Sequence, residues 1–435
     1  MHQQGCDLEP GDKVKITTND ASYEGMLMPR PKILDKNITV IKLANGYNIG
    51  ISNDKIEKTE LLESFKRKEQ EKVETTHIKG LPNVSILSFG GTISSKVDYR
   101  TGGTYADYSA EDFVQLMPEL KKVANLKARK VMGIMSEDMT PADWKDMAKA
   151  ILMELNSDVN GVVVSQGTDT LHFSTAAMSF MLKNLNKPVI FTAAQRSIDR
   201  GSSDAFMNLF CAITAAARFD GAVVATCLHG STDDSHCLLI RGTKVRKMHT
   251  SRRDAFRPIN ELPLAKVSSD GKIEVINTNY TKVGAHKAEL VDKFDEKTAI
   301  VLAYPGMDGK VIDFYVKEGY HGIVVAATAL GHLPTDQSKK NVLPHIKAAI
   351  DKGVAIVIAS QTIYGRVHPY VYTNLRKLSV ELDCIFAEDM LPEVAYVKLG
   401  WALAQSRGIE QLKALMHTNI AGEITERTDD KSFLF

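Results

Sequence analysis

The chain has 435 residues, 44% hydrophobic and 25% charged, which is enough for two or three soluble domains with a large core. Its 54 Lys and Arg against 53 Asp and Glu leave a formal charge of +1, without the basic surplus of a protein that grips nucleic acid alone. Cys6, Cys211, Cys227, Cys237 and Cys384 form no C-x-x-C pair, so neither a disulfide framework nor a zinc ribbon is suggested, and a reducing cytoplasm is the expected setting.

Met1 to Pro10 holds Asp7 and Glu9 and lacks the apolar core of a secretory leader. Val14–Thr17, Ile38–Leu43 and Tyr47–Ile51 alternate in polarity, and Asn45-Gly46 between the last two is a hairpin signal. About five short strands are expected, forming a small all-β, SH3-like barrel within residues 1–72. Such a unit serves either as a structural appendage or as a docking element. Leu61–Thr76 is rich in Glu and Lys and reads as a helical or extended linker, with residues 73–80 as the joint to the next domain. Lys66-Arg67-Lys68, mixed with Glu63, Glu69 and Glu71, reads as a solvated helix or linker, with RNA contact as the alternative.

From Leu81 strands alternate with helices, the pattern of a doubly wound α/β sheet. Expected strands are Val84–Phe89, Arg129–Ile134, Gly161–Val164, Val189–Thr192 and Ala222–Ala225, with helices at Ala142–Leu155 and Leu171–Leu185. Thr140-Pro141 reads as an N-cap followed by proline at the first helical position. This first α/β domain spans 81–285. The longest apolar stretch, Ala205–Ala217, is broken by Asn208 and is too short to cross a bilayer. After a less ordered stretch, Asn277–Glu296, strands at Ala299–Ala303, Gly322–Ala326, Val354–Ala359 and Cys384–Ala387 predict a second, smaller α/β domain over 298–435.

Two threonines carry the chemistry. Thr92, in Phe89-Gly90-Gly91-Thr92-Ile93, and Thr168, in Gln166-Gly167-Thr168-Asp169-Thr170, each follow a buried strand through glycine. Their hydroxyls therefore fall at the carboxyl ends of strands, where open α/β sheets bind ligands. His229, Asp233, Asp234, His236 and Cys237 crowd one segment, but lack metal-ligand spacing and read as a polar loop.

The two threonine motifs together resemble the signatures of the L-asparaginase/glutaminase family of amidohydrolases. The likeness runs over roughly residues 80–430, through Ser136-Glu137-Asp138-Met139, Lys187-Pro188-Val189-Ile190 and the Lys244 segment. It implies a two-domain asparaginase-like fold in which Thr92 attacks a side-chain amide and forms an acyl-enzyme. Thr168, Asp169 and Lys244 would form a hydrogen-bonded relay, with Arg241, Arg246 and Lys247 helping to disfavour the charged form of Lys244. Asp169 would also pair with the substrate α-ammonium, or alternatively cap the helix beginning near Leu171. Ser136 and Glu137 would grip the α-carboxylate and α-amine. Gly91 and Gly167 would let backbone approach the substrate, and Ala194 would offer its carbonyl. A flap tyrosine is expected at Tyr105, with Tyr99 and Tyr108 as alternatives and Gly102-Gly103 as hinge. Phe89, Gln166 and Ser197 depart from the residues usual in the family, which leaves the choice between glutamine and asparagine open.

The extension ahead of Leu81 is similar to that of family members acting as the glutaminase subunit of a tRNA-dependent amidotransferase. That resemblance implies a transamidase and kinase partner of the GatE type, which would hold glutamyl-tRNA(Gln) and bind ATP and Mg. This chain has no phosphate-loop motif and is expected to bind no cofactor itself. Its expected substrate is glutamine, and a homodimer core would complete a heterotetramer in the cytoplasm. The alternatives are a free-standing L-asparaginase with an accessory barrel and a non-catalytic assembly scaffold.

Overall fold

Alternation of apolar residues builds the N-terminal unit. In the computed structural model, which describes residues 8–29, 37–64, 77–91, 95–97, 104–106, 118–198 and 201–435, Val14, Ile16, Ile41 and Ile51 are buried together. Strands β1 (Lys13–Thr18), β2 (Ser22–Leu27), β3 (Ile38–Lys42), β4 (Asn48–Ser52) and β5 (Ile56–Glu63) form an antiparallel sheet in the order β4-β3-β2-β1-β5. The expected Asn45-Gly46 turn joins β3 to β4, with Gly46 at φ 85°. The linker reading of Leu61–Glu63 is overturned, because these residues complete β5 and pair with Lys13 and Val14. Their charge is that of an edge strand facing solvent. The remaining linker, 65–76, lies outside the described residues.

The central sheet draws on β6 (Asn83–Ser88), β9 (Asn125–Lys130), β10 (Gly161–Ser165), β12 (Val189–Thr192) and β13 (Val224–His229), parallel in the order β9-β6-β10-β12-β13. Both faces of β10 and β12 are covered, so these strands read as continuous apolar runs rather than alternating ones. Beyond β13 the sheet continues antiparallel through β14 (His236–Arg241), β17 (Ala265–Ser268) and β18 (Ile273–Val275). Two short ribbons stand apart: β7 (Ser95–Val97) with β8 (Thr104–Ala106), and β15 (Val245–Lys247) with β16 (Phe256–Pro258).

Helix Pro141–Leu155 starts where its sequence predicts. Pro141 takes the first turn, and the Asp143 carboxylate accepts the Thr140 N–H at 2.8 Å and its hydroxyl at 2.6 Å. Trp144, Met147 and Ile151 from this helix pack on one face of the sheet with Phe180 of helix Leu171–Met181. Helix Ala205–Arg218 covers the other face through Leu209, Ala212 and Ile213.

Three local expectations shift. The strand expected at Arg129–Ile134 begins earlier, at Asn125, where it pairs with β6. The helix expected to reach Leu185 ends at Met181, because β11 (Leu182–Lys183) pairs with β19 (Glu289–Leu290) and Asn184 takes φ 49°. The stretch read as less ordered therefore contributes a strand. The second domain is a parallel sheet of β20 (Thr298–Leu302), β21 (Gly322–Ala327), β22 (Ala355–Ser360) and β23 (Ile385–Phe386). Helix Pro392–Gln405 joins it to the first domain, with Trp401 stacked on Phe180 at 6.0 Å. One apolar cluster runs through both α/β domains and holds the site loops against a common support.

Candidate active site

The site lies at the carboxyl ends of β6 and β10, where glycine lets two chain segments touch. Gly90 and Gly91 take φ 103° and 84°, and a Cβ on Gly91 would collide with the backbone of Gln166 and Gly167. A Cβ on Gly167 would in turn lie 2.8 Å from Ser136 Oγ. The first signature is thus pressed directly against the second. Thr92, which follows Gly91 in the sequence, lies outside the described residues, as do Tyr99, Tyr108 and Gly102-Gly103. The backbone of Tyr105 pairs with Lys96 in the β7–β8 ribbon, and its side chain is outside the description.

Ser136 ties the second signature down. Its hydroxyl accepts the Asp169 N–H at 3.3 Å, its carbonyl accepts the Thr170 hydroxyl at 2.6 Å, and its Oγ lies 3.5 Å from Glu137 Oε2. Ser136 is buried while Glu137 is exposed, so the adjacent pair offers one anchored and one solvent-facing group. Thr170, not Asp169, is the N-cap of helix Leu171–Met181, which leaves the exposed Asp169 carboxylate free of the capping duty. Ala194 is buried just past the end of β12. The next two amides, of Gln195 and Arg196, are held by the Asp204 carboxylate at 2.9 to 3.0 Å.

A lysine does meet the second threonine, but it is Lys247. Its Nζ donates to Thr168 Oγ1 at 2.9 Å and to Asp169 Oδ1 at 2.6 Å, and the Thr168 hydroxyl lies 3.4 Å from the same carboxylate oxygen. The expectation for Lys244 is corrected. That residue is buried with its Nζ 2.7 Å from Asp389 Oδ2, across the seam between the α/β domains. Asp389 also accepts the Thr425 N–H at 3.0 Å and the Thr425 hydroxyl at 2.6 Å. Burial pulls the Lys244 ammonium below its ordinary range, opposed by the negative charges of Asp389, Glu261 and Glu423. Its neighbours are therefore anions, not the cations the sequence suggested. Arg241 is itself paired with Glu261 at 2.8 and 3.0 Å.

The register of β15 explains the exchange. Val245 is buried, and alternation from it puts Lys247 on the same side two residues later, while Lys244 precedes the strand and its carbonyl accepts the Ile259 N–H at 2.8 Å. Between them Arg246 reaches Glu393 Oε2 at 3.4 Å, and Glu393 Oε1 lies 3.8 Å from His172 Nε2. Burial raises the Glu393 carboxyl. It also lowers His172 to about 3, helped by the charges of Arg246 and Lys247, so the imidazole is neutral near pH 7. Sequence reasoning counted Lys247 only as a neighbouring cation and did not name Glu393. The apolar Val245 two residues before Lys247 was the available signal for the first, and no local signal marked the second.

The departures from family usage lie beneath the site. Phe89 and Gln166 are fully buried, and among the described residues neither amide atom of Gln166 finds a hydrogen-bond partner, nor does the buried Ser197 hydroxyl. The histidine-rich segment does not gather into a ligand set. His229 is buried between Asn208 Oδ1 at 2.6 Å and Asp234 Oδ1 at 3.0 Å, and among the described residues no group of three or more His, Cys, Asp and Glu is placed to hold a metal ion. Among the described residues, no helix is long and apolar enough to cross a membrane.

This geometry has counterparts. The asparaginase N-terminal family profile matches residues 83–281, and the glutaminase/asparaginase C-terminal domain profile matches 297–416. The thermostable L-asparaginase from Thermococcus kodakarensis superposes with TM-score 0.70 at 29% identity, over 79% of this chain and 99% of that one. L-asparaginase I from Vibrio cholerae gives 0.68 at 27% identity, over 80% and 100%. Fold and site thus define an asparaginase-like amidohydrolase class.

The N-terminal sheet narrows it further, since residues 8–62 match the GatD N-terminal domain. The glutamyl-tRNA(Gln) amidotransferase D subunit of Pyrococcus furiosus is 47% identical over 100% of this chain and 98% of its own length. The protein of that name from Methanothermobacter thermautotrophicus is 45% identical over 98% and 96%. The chain belongs to the family of glutamyl-tRNA(Gln) amidotransferase D subunits.

Proposed function

We propose that this chain is the glutaminase subunit of a tRNA-dependent amidotransferase, hydrolysing glutamine to glutamate and ammonia through a Thr92 acyl-enzyme. The observation that carries the reading is the Lys247 Nζ bridge between Thr168 Oγ1 and Asp169 Oδ1, beside the glycine contact that leads into Thr92. The Thr92 hydroxyl attacks the amide carbon, and its proton passes to the leaving nitrogen as the C–N bond breaks and ammonia is released. Water then cleaves the ester and regenerates the hydroxyl. Thr168 takes a proton of the incoming water while passing its own toward Lys247, which returns one to the departing Thr92 oxygen, and Asp169 helps to hold the lysine in place. Asp169 and Glu137 also offer carboxylates to the α-ammonium, Ser136 a hydroxyl to the α-carboxylate, and Gly91, Gly167 and Ala194 backbone groups. Tyr105 is the tyrosine assigned to the flap in this reading.

The ammonia passes to a GatE-like partner that binds ATP and Mg and amidates glutamyl-tRNA(Gln), in a cytoplasmic heterotetramer built on a homodimer of this chain. The near-neutral net charge of +1 fits a subunit whose partner holds the RNA. Ammonia release from glutamine and asparagine, measured on the chain alone and with that partner and glutamyl-tRNA(Gln), tests the reading. Glutamine hydrolysis that appears only with partner and tRNA is expected. Strong hydrolysis of asparagine by the isolated chain would make it an L-asparaginase, and full activity in Thr92→Val would refute the nucleophile.

A further inference from the structure

The N-terminal sheet touches the body of the protein beside the hairpin that bears Lys247. Its β3–β4 turn seats on the segment Gly201-Ser202. The fit is close, since a Cβ on Gly201 would lie 2.6 Å from the Asn45 carbonyl oxygen and 3.1 Å from the Tyr47 ring. The Tyr47 hydroxyl lies 3.3 Å from Ser202 Oγ. Ser202 stands at φ 58°, a conformation that L side chains seldom adopt and that persists where surrounding contacts hold it.

The carbonyl of that residue accepts Arg253 Nη2 at 2.6 Å. Arg253 also donates from Nη1 to Asp234 Oδ1 at 3.0 Å, and Asp234 is braced by the buried His229. Arg253 belongs to the connection between β15 and β16, which the Met248 N–H closes onto the Ala255 carbonyl at 2.6 Å. Lys247 is the last residue of β15, opposite Phe256. A continuous line of contacts thus leads from the turn at Asn45-Gly46-Tyr47 through Ser202 and Arg253 to the ammonium on Thr168 and Asp169.

We infer that the β3–β4 turn of the N-terminal sheet is a positioning contact for Lys247, with Ser202 and Arg253 transmitting it. This rests on the proposed relay for its functional meaning, though the mechanical link is independent of the substrate. The hairpin is short, and among the described residues its strands pair only with each other, outside the central sheet. Its tip is fixed by side chains, so losing the Arg253 fork gives the tip freedom that the Lys247 bridge must then oppose. Asp169 is largely solvent-exposed, so its hold on the lysine is supplemented by whatever fixes the hairpin. A partner that grips the N-terminal sheet and shifts it would act on amide hydrolysis by this route, without entering the site.

Hydrogen–deuterium exchange and steady-state hydrolysis, on the full chain and on its complex with the tRNA-binding partner, test the inference. Gly201→Ala wedges the turn away without altering any residue of the relay. It should speed exchange of the 245–258 amides by about threefold to tenfold while leaving β6 and β10 protected. In the complex it should lower kcat by a similar factor, with KM nearly constant, because a misplaced relay costs the chemical step rather than binding. Arg253→Ala should do the same more strongly, by roughly 10- to 100-fold in kcat. Arg253→Lys should recover part of the loss, since a lysine can reach Asp234 or the Ser202 carbonyl but not fork across both. Unchanged protection of the hairpin in Gly201→Ala and Arg253→Ala would overturn the inference, as would acceleration spread evenly over the whole sheet. If wild-type complex hydrolyses neither glutamine nor asparagine, the functional reading fails, and the exchange pattern still decides the positioning contact.

Discussion

Two lysines three residues apart occupy opposite kinds of surroundings. Lys244 lies in a closed seam with Asp389, Thr425 and apolar neighbours, and joins the two α/β domains. Lys247 lies at an open mouth on an exposed carboxylate and a half-buried threonine. The first has surroundings that have already satisfied it, whereas the second completes a set of groups aimed at solvent space. Both side chains are largely covered and both have a close carboxylate, so the difference lies in the partner: a buried one for Lys244, an exposed one together with a hydroxyl for Lys247.

The contrast is broken most severely at Lys247. Lys247→Met should reduce amide hydrolysis by ~10²- to 10⁴-fold, the usual range for losing an acid–base group, with the urea midpoint nearly unchanged. Lys244→Met should do the reverse. Leaving Asp389 buried without its cation should cost about 3–5 kcal/mol of unfolding free energy, measured by urea denaturation. Adding Asp389→Leu should return part of that loss, because the orphaned charge is then gone as well. A Lys244→Met protein that folds normally but hydrolyses nothing would reverse the assignment of the two lysines.

A smaller effect sharpens the comparison through pH. Between about 6.5 and 3 the unfolded chain binds a proton on His172 that the folded chain refuses, so this residue makes stability fall as pH drops through that window. Glu393, whose carboxyl is raised by burial, acts in the opposite direction over part of it, because the folded chain takes up that proton first. Arg246 and Lys247 face the pair and add to the depression of His172. His172→Gln should therefore flatten the acid limb of the stability profile by a few kcal/mol at most, read from urea midpoints across the window. An unchanged limb would mean that other groups dominate acid unfolding.

The legible parts of this chain are those whose physics is local. The parallel strands announce themselves as apolar runs because both faces are covered, and Val189–Thr192 agrees with its sequence reading at both ends. Thr140-Pro141 marks its helix because the cap needs only residues within one turn. The β5 strand was hidden because an edge strand carries the composition of a linker. The lysine that meets Thr168 lies three positions beyond the one expected from sequence, because Lys244 is taken by Asp389, far along the chain, and nothing near Lys244 foretells it. The same distance hid Glu393 and the docking of the β3–β4 turn on Ser202.

The stretch from Gly242 to Lys247 also carries a rule about length. Within β15 successive side chains alternate, so Arg246 turns to Glu393 and Lys247 to Thr168, while Lys244, one residue ahead of the strand, locks the domains. Inserting or deleting a single residue between Lys244 and Lys247 would turn the strand over and send the second ammonium away from Thr168. In this segment the identity of Arg246 is thus less constrained than the number of residues that separates the two lysines.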